Sequence, residues 1–124
     1  MSYVALVTDR YDEMVRFYGE SLGFERVTEW DRANARGVRF DLGGMRLELL
    51  DNHREATPLS LGTAAERFHL VVEVNDIEEA RQRIKLDTPP ARSVSWGAEL
   101  FELCDPDGIA VTFLRWGNGT GGGS

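Results

Sequence analysis

Glu48 and His69 are the two side chains of this 124-residue sequence best placed to do chemistry. An imidazole titrates near neutral pH and serves as acid, base or metal ligand. A carboxylate can bind a metal ion or anchor a basic group. His69 lies in Phe68-His69-Leu70-Val71-Val72-Glu73-Val74, an apolar run that reads as a strand. Strand side chains alternate between faces. Phe68, Leu70, Val72 and Val74 form one apolar face, so His69 points the other way. Met45, Leu47 and Leu49 do the same for Glu48. Applied to the runs at Tyr3–Thr8 and Ile109–Leu114, the alternation puts Tyr3 and Thr112 on the matching side. Tyr3, Glu48, His69 and Thr112 are therefore expected on the side of each sheet that no helix covers.

Each of the four also has a plainer reading. An unpaired buried carboxylate is costly, and Arg46, two residues away on the same face, is the expected partner of Glu48. A basic group on a ligand would serve as well. His69 can be a strand histidine bonded to a neighbour, Tyr3 a packed terminal residue and Thr112 an ordinary β-branched strand residue. Trp96 is a candidate for stacking on an aromatic ligand, whereas Trp30 and Trp116 read as ordinary packing. No serine–histidine–aspartate arrangement, phosphate loop or dinucleotide fingerprint accompanies these residues, and none is singled out as catalytic.

The elements that carry them occur twice. Tyr3–Thr8 runs into an amphipathic helix over Tyr11–Leu22, with Tyr11, Met14, Val15, Tyr18 and Leu22 on one face. Gly23 suits the helix stop. Strands are expected over Glu25–Trp30, Gly37–Leu42 and Met45–Asp51, the last two joined at Gly43-Gly44. Phe68–Val74 then leads into a second helix with Ile77, Ala80 and Ile84 on its apolar stripe, Asn75 as its cap and Glu78 at capping-box spacing. Short strands follow at Ser93–Trp96 and Glu99–Cys104. Asp105-Pro106-Asp107-Gly108 carries a type I turn signature and leads into Ile109–Arg115. A repeat that holds several elements reads as a duplicated half-domain. The expected organisation is one domain over 1–116, with module one at 1–51, a linker at 52–66 and module two at 67–116. Residues 117–124 are expected to form a flexible glycine-rich tail.

The net charge is −7 and 42% of residues are hydrophobic. An acidic chain makes a poor partner for nucleic acid or an anionic membrane surface, so a small-molecule ligand is expected. Cys104 is the only cysteine, which fits a reducing compartment. The apolar run at Tyr3–Val7 is too short for a signal peptide, and a cytoplasmic protein is expected.

Read twice as strand–helix–strand–strand–strand, the chain resembles the vicinal oxygen chelate superfamily, which includes glyoxalase I, bleomycin-resistance proteins and extradiol dioxygenases. The residues that carry the resemblance are Phe17-Tyr18-Gly19-Glu20-Ser21-Leu22-Gly23-Phe24, Leu47-Glu48-Leu49, Phe68 to Asp76, and Trp96-Gly97 followed by Asp105-Pro106-Asp107-Gly108. It implies an α+β fold of two paired βαβββ modules forming curved mixed sheets around a cavity. It also implies a homodimer, with the modules paired within or across chains. In metal-using members the four inward positions carry His or Glu around a divalent ion. Carried onto this chain they are Tyr3, Glu48, His69 and Thr112, so only Glu48 and His69 match. A catalytic ion usually takes at least three protein ligands, and the metal cup is partly lost. Two functions follow from the resemblance. The first is metal-free binding or sequestration of a small aromatic or cationic molecule by Tyr3, Glu48, His69, Trp96 and Thr112. The second is a metal-dependent lyase, isomerase or dioxygenase in which Glu48 and His69 hold zinc, nickel, manganese or iron. Whether the chain is an enzyme stays open between them.

Overall fold

The described residues form eight strands, and the turns between them fix how they pair. In the computed structural model, which describes residues 2–63 and 67–117, the strands form two four-stranded mixed sheets. The first contains β1 (Tyr3–Thr8), β2 (Glu25–Arg32), β3 (Ala35–Asp41) and β4 (Arg46–Asp51), in the order β1-β4-β3-β2. The second contains β5 (His69–Glu73), β6 (Arg92–Val94), β7 (Ala98–Cys104) and β8 (Ala110–Trp116), in the order β5-β8-β7-β6. In each sheet the opening strand pairs in parallel with the closing one: Tyr3 faces Arg46 in β1–β4, and His69 faces Ala110 in β5–β8. A parallel pair needs a long crossover, and in each half the connection runs through a helix and two further strands. The architecture is the α+β duplication that the sequence pattern implies. Residues 64–66 of the expected linker and 118–124 of the expected tail lie outside the described residues.

The first helix does not run unbroken from Tyr11 to Leu22. Helix α1 covers Tyr11–Arg16, and Phe17–Ser21 continue as a π-turn. Gly19 shows what this turn accommodates: a Cβ there would lie 3.1 Å from Phe40 Cε1. The chain thus rides close on β3, with Met14 and Tyr18 fully buried. Gly23, at φ 77°, ends the segment in the left-handed conformation that glycine adopts without strain.

Helix α2 (Ile77–Arg83) is capped by Asp76, not by Asn75: the Asp76 carboxylate accepts the Glu79 amide at 3.1 Å. Glu78 is engaged by Arg81 instead of closing a capping box. Asp76→Ala is expected to cost about 1 kcal/mol, the usual worth of such a cap, read as a lower denaturant midpoint at unchanged slope.

The apolar faces of the two halves meet. Tyr11, Met14 and Tyr18 with Val38, Phe40, Leu47 and Leu49 join Leu70, Val72, Ile77, Phe101, Val111 and Phe113 in one core cluster. The Phe24 ring lies parallel to Phe113 at 6.3 Å, and Phe113 stacks on Phe101 at 5.1 Å. Tyr18 donates its hydroxyl to Asp105 at 2.7 Å, Arg10 reaches the Pro106 carbonyl at 2.6 Å, and the Lys85 amide meets the Ser21 carbonyl at 2.9 Å. The modules are thus docked through their helix-covered faces. By alternation, the other face of each sheet points away from this core. Among the described residues no helix is long and apolar enough to cross a membrane.

Candidate functional site

The open face of the first sheet is built from three rows of register partners. Ala5, Glu48, Arg39 and Thr28 form the middle row. Tyr3 with Arg46 and Asp41 lies on one side of it, and Leu50 with Gly37 and Trp30 on the other. Trp30 lies flat over Gly37, where a Cβ would come within 2.7 Å of its Cε2 atom. Only a residue without a side chain lets the indole settle there. The Arg39 guanidinium stacks on Tyr3 at 4.3 Å and reaches Trp30 at 5.5 Å, both within cation–π range. Its Nε donates to Glu48 Oε2 at 2.6 Å. That bond is the main cause that raises the Arg39 pKa.

Glu48 is 6% exposed, so its carboxylate needs a partner, and the partner is Arg39 on the neighbouring strand. Arg46, the partner expected from the sequence, makes no such bond. The reason is spacing. Residues i and i+2 of one strand stand nearly 7 Å apart, whereas side chains directly opposite on antiparallel strands are about 4.5–5.5 Å apart at Cβ. Arg39 and Glu48 are register partners on β3 and β4. Tyr3 is not packed away at the terminus; the residue is 45% exposed and its ring stands against Arg39.

The open face of the second sheet carries His69, Val71 and Glu73 on β5, Thr112 and Leu114 on β8, and Leu100 and Glu102 on β7. His69 is exposed and Val71 is 51% exposed. Thr112 donates its hydroxyl to Glu102 at 3.2 Å. Trp96 lies in the β6–β7 turn, 51% exposed and edge-on to Trp116 at 5.4 Å. Trp116 donates to Glu73 at 2.7 Å.

The five sequence-derived residues therefore divide between two surfaces. Tyr3 and Glu48 stand on one open face. His69 and Thr112 stand on the other, with Trp96 at the edge of that sheet. Sequence reasoning missed Arg39 and set Trp30 aside as packing. The glycine at position 37, opposite an aromatic on the next strand, was the available signal for Trp30. A groove of about 470 Å³ at the module junction, lined in part by Phe24, Glu73, Asp76, Arg83 and Phe113, includes none of the five.

These donors do not fit a resident divalent ion within one chain. Glu48 is already bonded by Arg39, His69 is on the other sheet, Tyr3 offers only a phenol and Thr112 a hydroxyl that donates to Glu102. Among the described residues no three His, Cys, Asp or Glu side chains cluster as a metal site.

A family model for the Glyoxalase/Bleomycin resistance protein/Dioxygenase superfamily matches residues 1–113. The chain belongs to this superfamily. Solved members and neighbours share its fold. One is a glyoxalase/bleomycin resistance protein/dioxygenase from Nocardioides, with TM-score 0.70 and 23% identity, covering 96% of this chain and 84% of that one. Another is a lactoylglutathione lyase from Agrobacterium tumefaciens, with TM-score 0.65 and 20% identity, covering 93% and 92%. A third is TnmS3, an antibiotic binding protein from Streptomyces sp. CB03234, with TM-score 0.66 and 17% identity, covering 94% and 94%. No curated protein sequence matches the chain. Superfamily membership accounts for the duplicated modules.

Proposed function

We propose that this superfamily member binds and sequesters a small aromatic molecule without a metal ion. The observation that carries this reading is the Tyr3–Arg39–Trp30 stack over Glu48 on the open face of the first sheet. Flat, partly exposed rings held by a paired guanidinium make a preformed platform for another ring, and such sites combine apolar walls with few placed polar groups. Antibiotic binding by a protein of the same fold, TnmS3, supports the reading by analogy. A homodimer belongs to it. The open face of the first sheet in one protomer would lie against the open face of the second in its partner, bringing His69, Thr112 and Trp96 opposite Tyr3 and Glu48.

The test uses Gly37→Ala, which displaces Trp30 without altering charge. Binding of a panel of aromatic compounds, followed by tryptophan fluorescence, is expected to weaken by about five- to twelvefold, the worth of one stacked contact of roughly 1–1.5 kcal/mol. Chelator treatment of the parent protein is expected to change nothing. Ligand binding that vanishes on chelation and returns with zinc, nickel, manganese or iron would sink the metal-free reading. It would favour a metal-dependent lyase, isomerase or dioxygenase using Glu48 and His69. Sedimentation is expected to show a dimer.

A further inference from the structure

The open face of the first sheet carries two arginines, Arg39 and Arg46, against two carboxylates, Glu48 and Asp41. Glu48 already matches Arg39 at 2.6 Å. Arg46 is different: its Nε is buried and has no hydrogen-bond partner among the described residues. Its register neighbour Asp41 turns its carboxylate to the Gly43 amide at 2.8 Å instead. Its other neighbour, Tyr3, presents a ring and no anion.

The buried Nε is itself closed to a ligand, but the Arg46 guanidinium as a whole makes no ion pair among the described residues, and a ligand carboxylate would supply one. Guanidinium is flat and forked, and a carboxylate matches it with two parallel hydrogen bonds. Aromatic rings stand on both sides of the middle row: Tyr3 beside Arg46, and Trp30 beyond Arg39. A cationic ligand would find Glu48 taken and would meet the charge of Arg46. We infer that this face selects a small aromatic carboxylate, its anionic group on Arg46 and its ring against Tyr3 or Trp30. The assignment rests on the binding function proposed above, and it exchanges the cationic ligand suggested by the chain's net charge for an anionic one.

The test titrates the full chain with naphthoate and, separately, with naphthylmethylammonium, two probes of similar ring size and opposite charge. Amide chemical shifts report where each binds. Naphthoate is expected to shift the amides of residues 3, 30, 39 and 46, and to bind at least about tenfold more tightly than the cation. Arg46→Gln is expected to weaken naphthoate by about tenfold or more, the range for a hydrogen bond to a charged group. Arg46→Lys, which keeps the charge without the fork, should recover part of the loss. The probe comparison in the parent chain needs no variant to fold. If the cation binds this face as well as naphthoate, or a well-dispersed Arg46→Gln spectrum shows unchanged naphthoate affinity, the anion assignment falls while aromatic binding stands. If neither probe binds at millimolar concentration, both fall.

Discussion

Replacing Asp105 by alanine is expected to destabilise the protein by about 3–5 kcal/mol. The carboxylate accepts the Tyr18 hydroxyl at 2.7 Å and the amides of Asp107 and Ile109, both at 2.9 Å. Asp105 is 4% exposed and Tyr18 is fully buried. Alanine strands a buried hydroxyl and a buried amide, and each orphaned donor costs about 1–3 kcal/mol. A marginally stable domain loses a large share of its stability in this way. Asp105→Asn keeps an acceptor for the amides and should cost far less. Urea unfolding of the two variants separates lost hydrogen bonds from lost volume.

The same residue gives a pH effect of unusual sign. Burial raises the Asp105 pKa, against the lowering effect of the Tyr18 hydroxyl and the two amides. Burial also raises the Tyr18 pKa, with the neighbouring Asp105 charge adding to it, so the phenol stays protonated and donates. A carboxyl whose folded pKa lies above its unfolded value near 3.8 binds its proton more tightly in the native state. Its contribution is fully present below the unfolded pKa and is lost as pH rises through the folded one. The parent protein is expected to hold its stability on mild acidification better than Asp105→Asn does, in unfolding curves compared from neutral pH down to about 4.

Phe113→Ala is the second large effect, at about 3–5 kcal/mol. Phe113 is 3% exposed, stacks on Phe101 of its own module and lies parallel to Phe24 of the other. Truncation removes both ring contacts and leaves a void between two sheets that cannot close it independently. Phe113→Leu, which refills much of the volume, should recover most of the loss. A denaturation slope that falls along with the midpoint would indicate that the modules separate before either unfolds.

These residues also show which part of the structure is legible in the sequence. Leu47, Leu49, Leu70, Val72, Val111 and Phe113 announce their buried faces by alternation, and all six are buried. Superfamily membership fits the same pattern. What alternation does not give is the surface that each buried face meets. The periodicity of β4 and β5 is the same whether the modules join back to back or front to front, so the separation of Tyr3 and Glu48 from His69 and Thr112 is not written in it. Nor does it rank partners for a charge. Glu48 pairs with Arg39 because strand register brings them opposite, and register depends on where the β2–β3 and β3–β4 turns fall. The π-turn at Phe17–Ser21 escaped for a related reason: apolar spacing tolerates one extra residue per turn over so short a stretch.

Among the described residues no strand of either sheet is hydrogen-bonded into the other sheet. Each half closes its own ladder from residues it already contains, the first by joining β1 to β4 before β5 is reached in the chain. During synthesis from the N-terminus, the first half can therefore assemble while the ribosome is still adding the second. Until Phe113 emerges, Phe24 and the apolar back around it lack their cover, and sticky surface of that kind is what promotes aggregation of nascent chains. Slower translation of the second half should consequently lengthen that exposure and lower soluble yield.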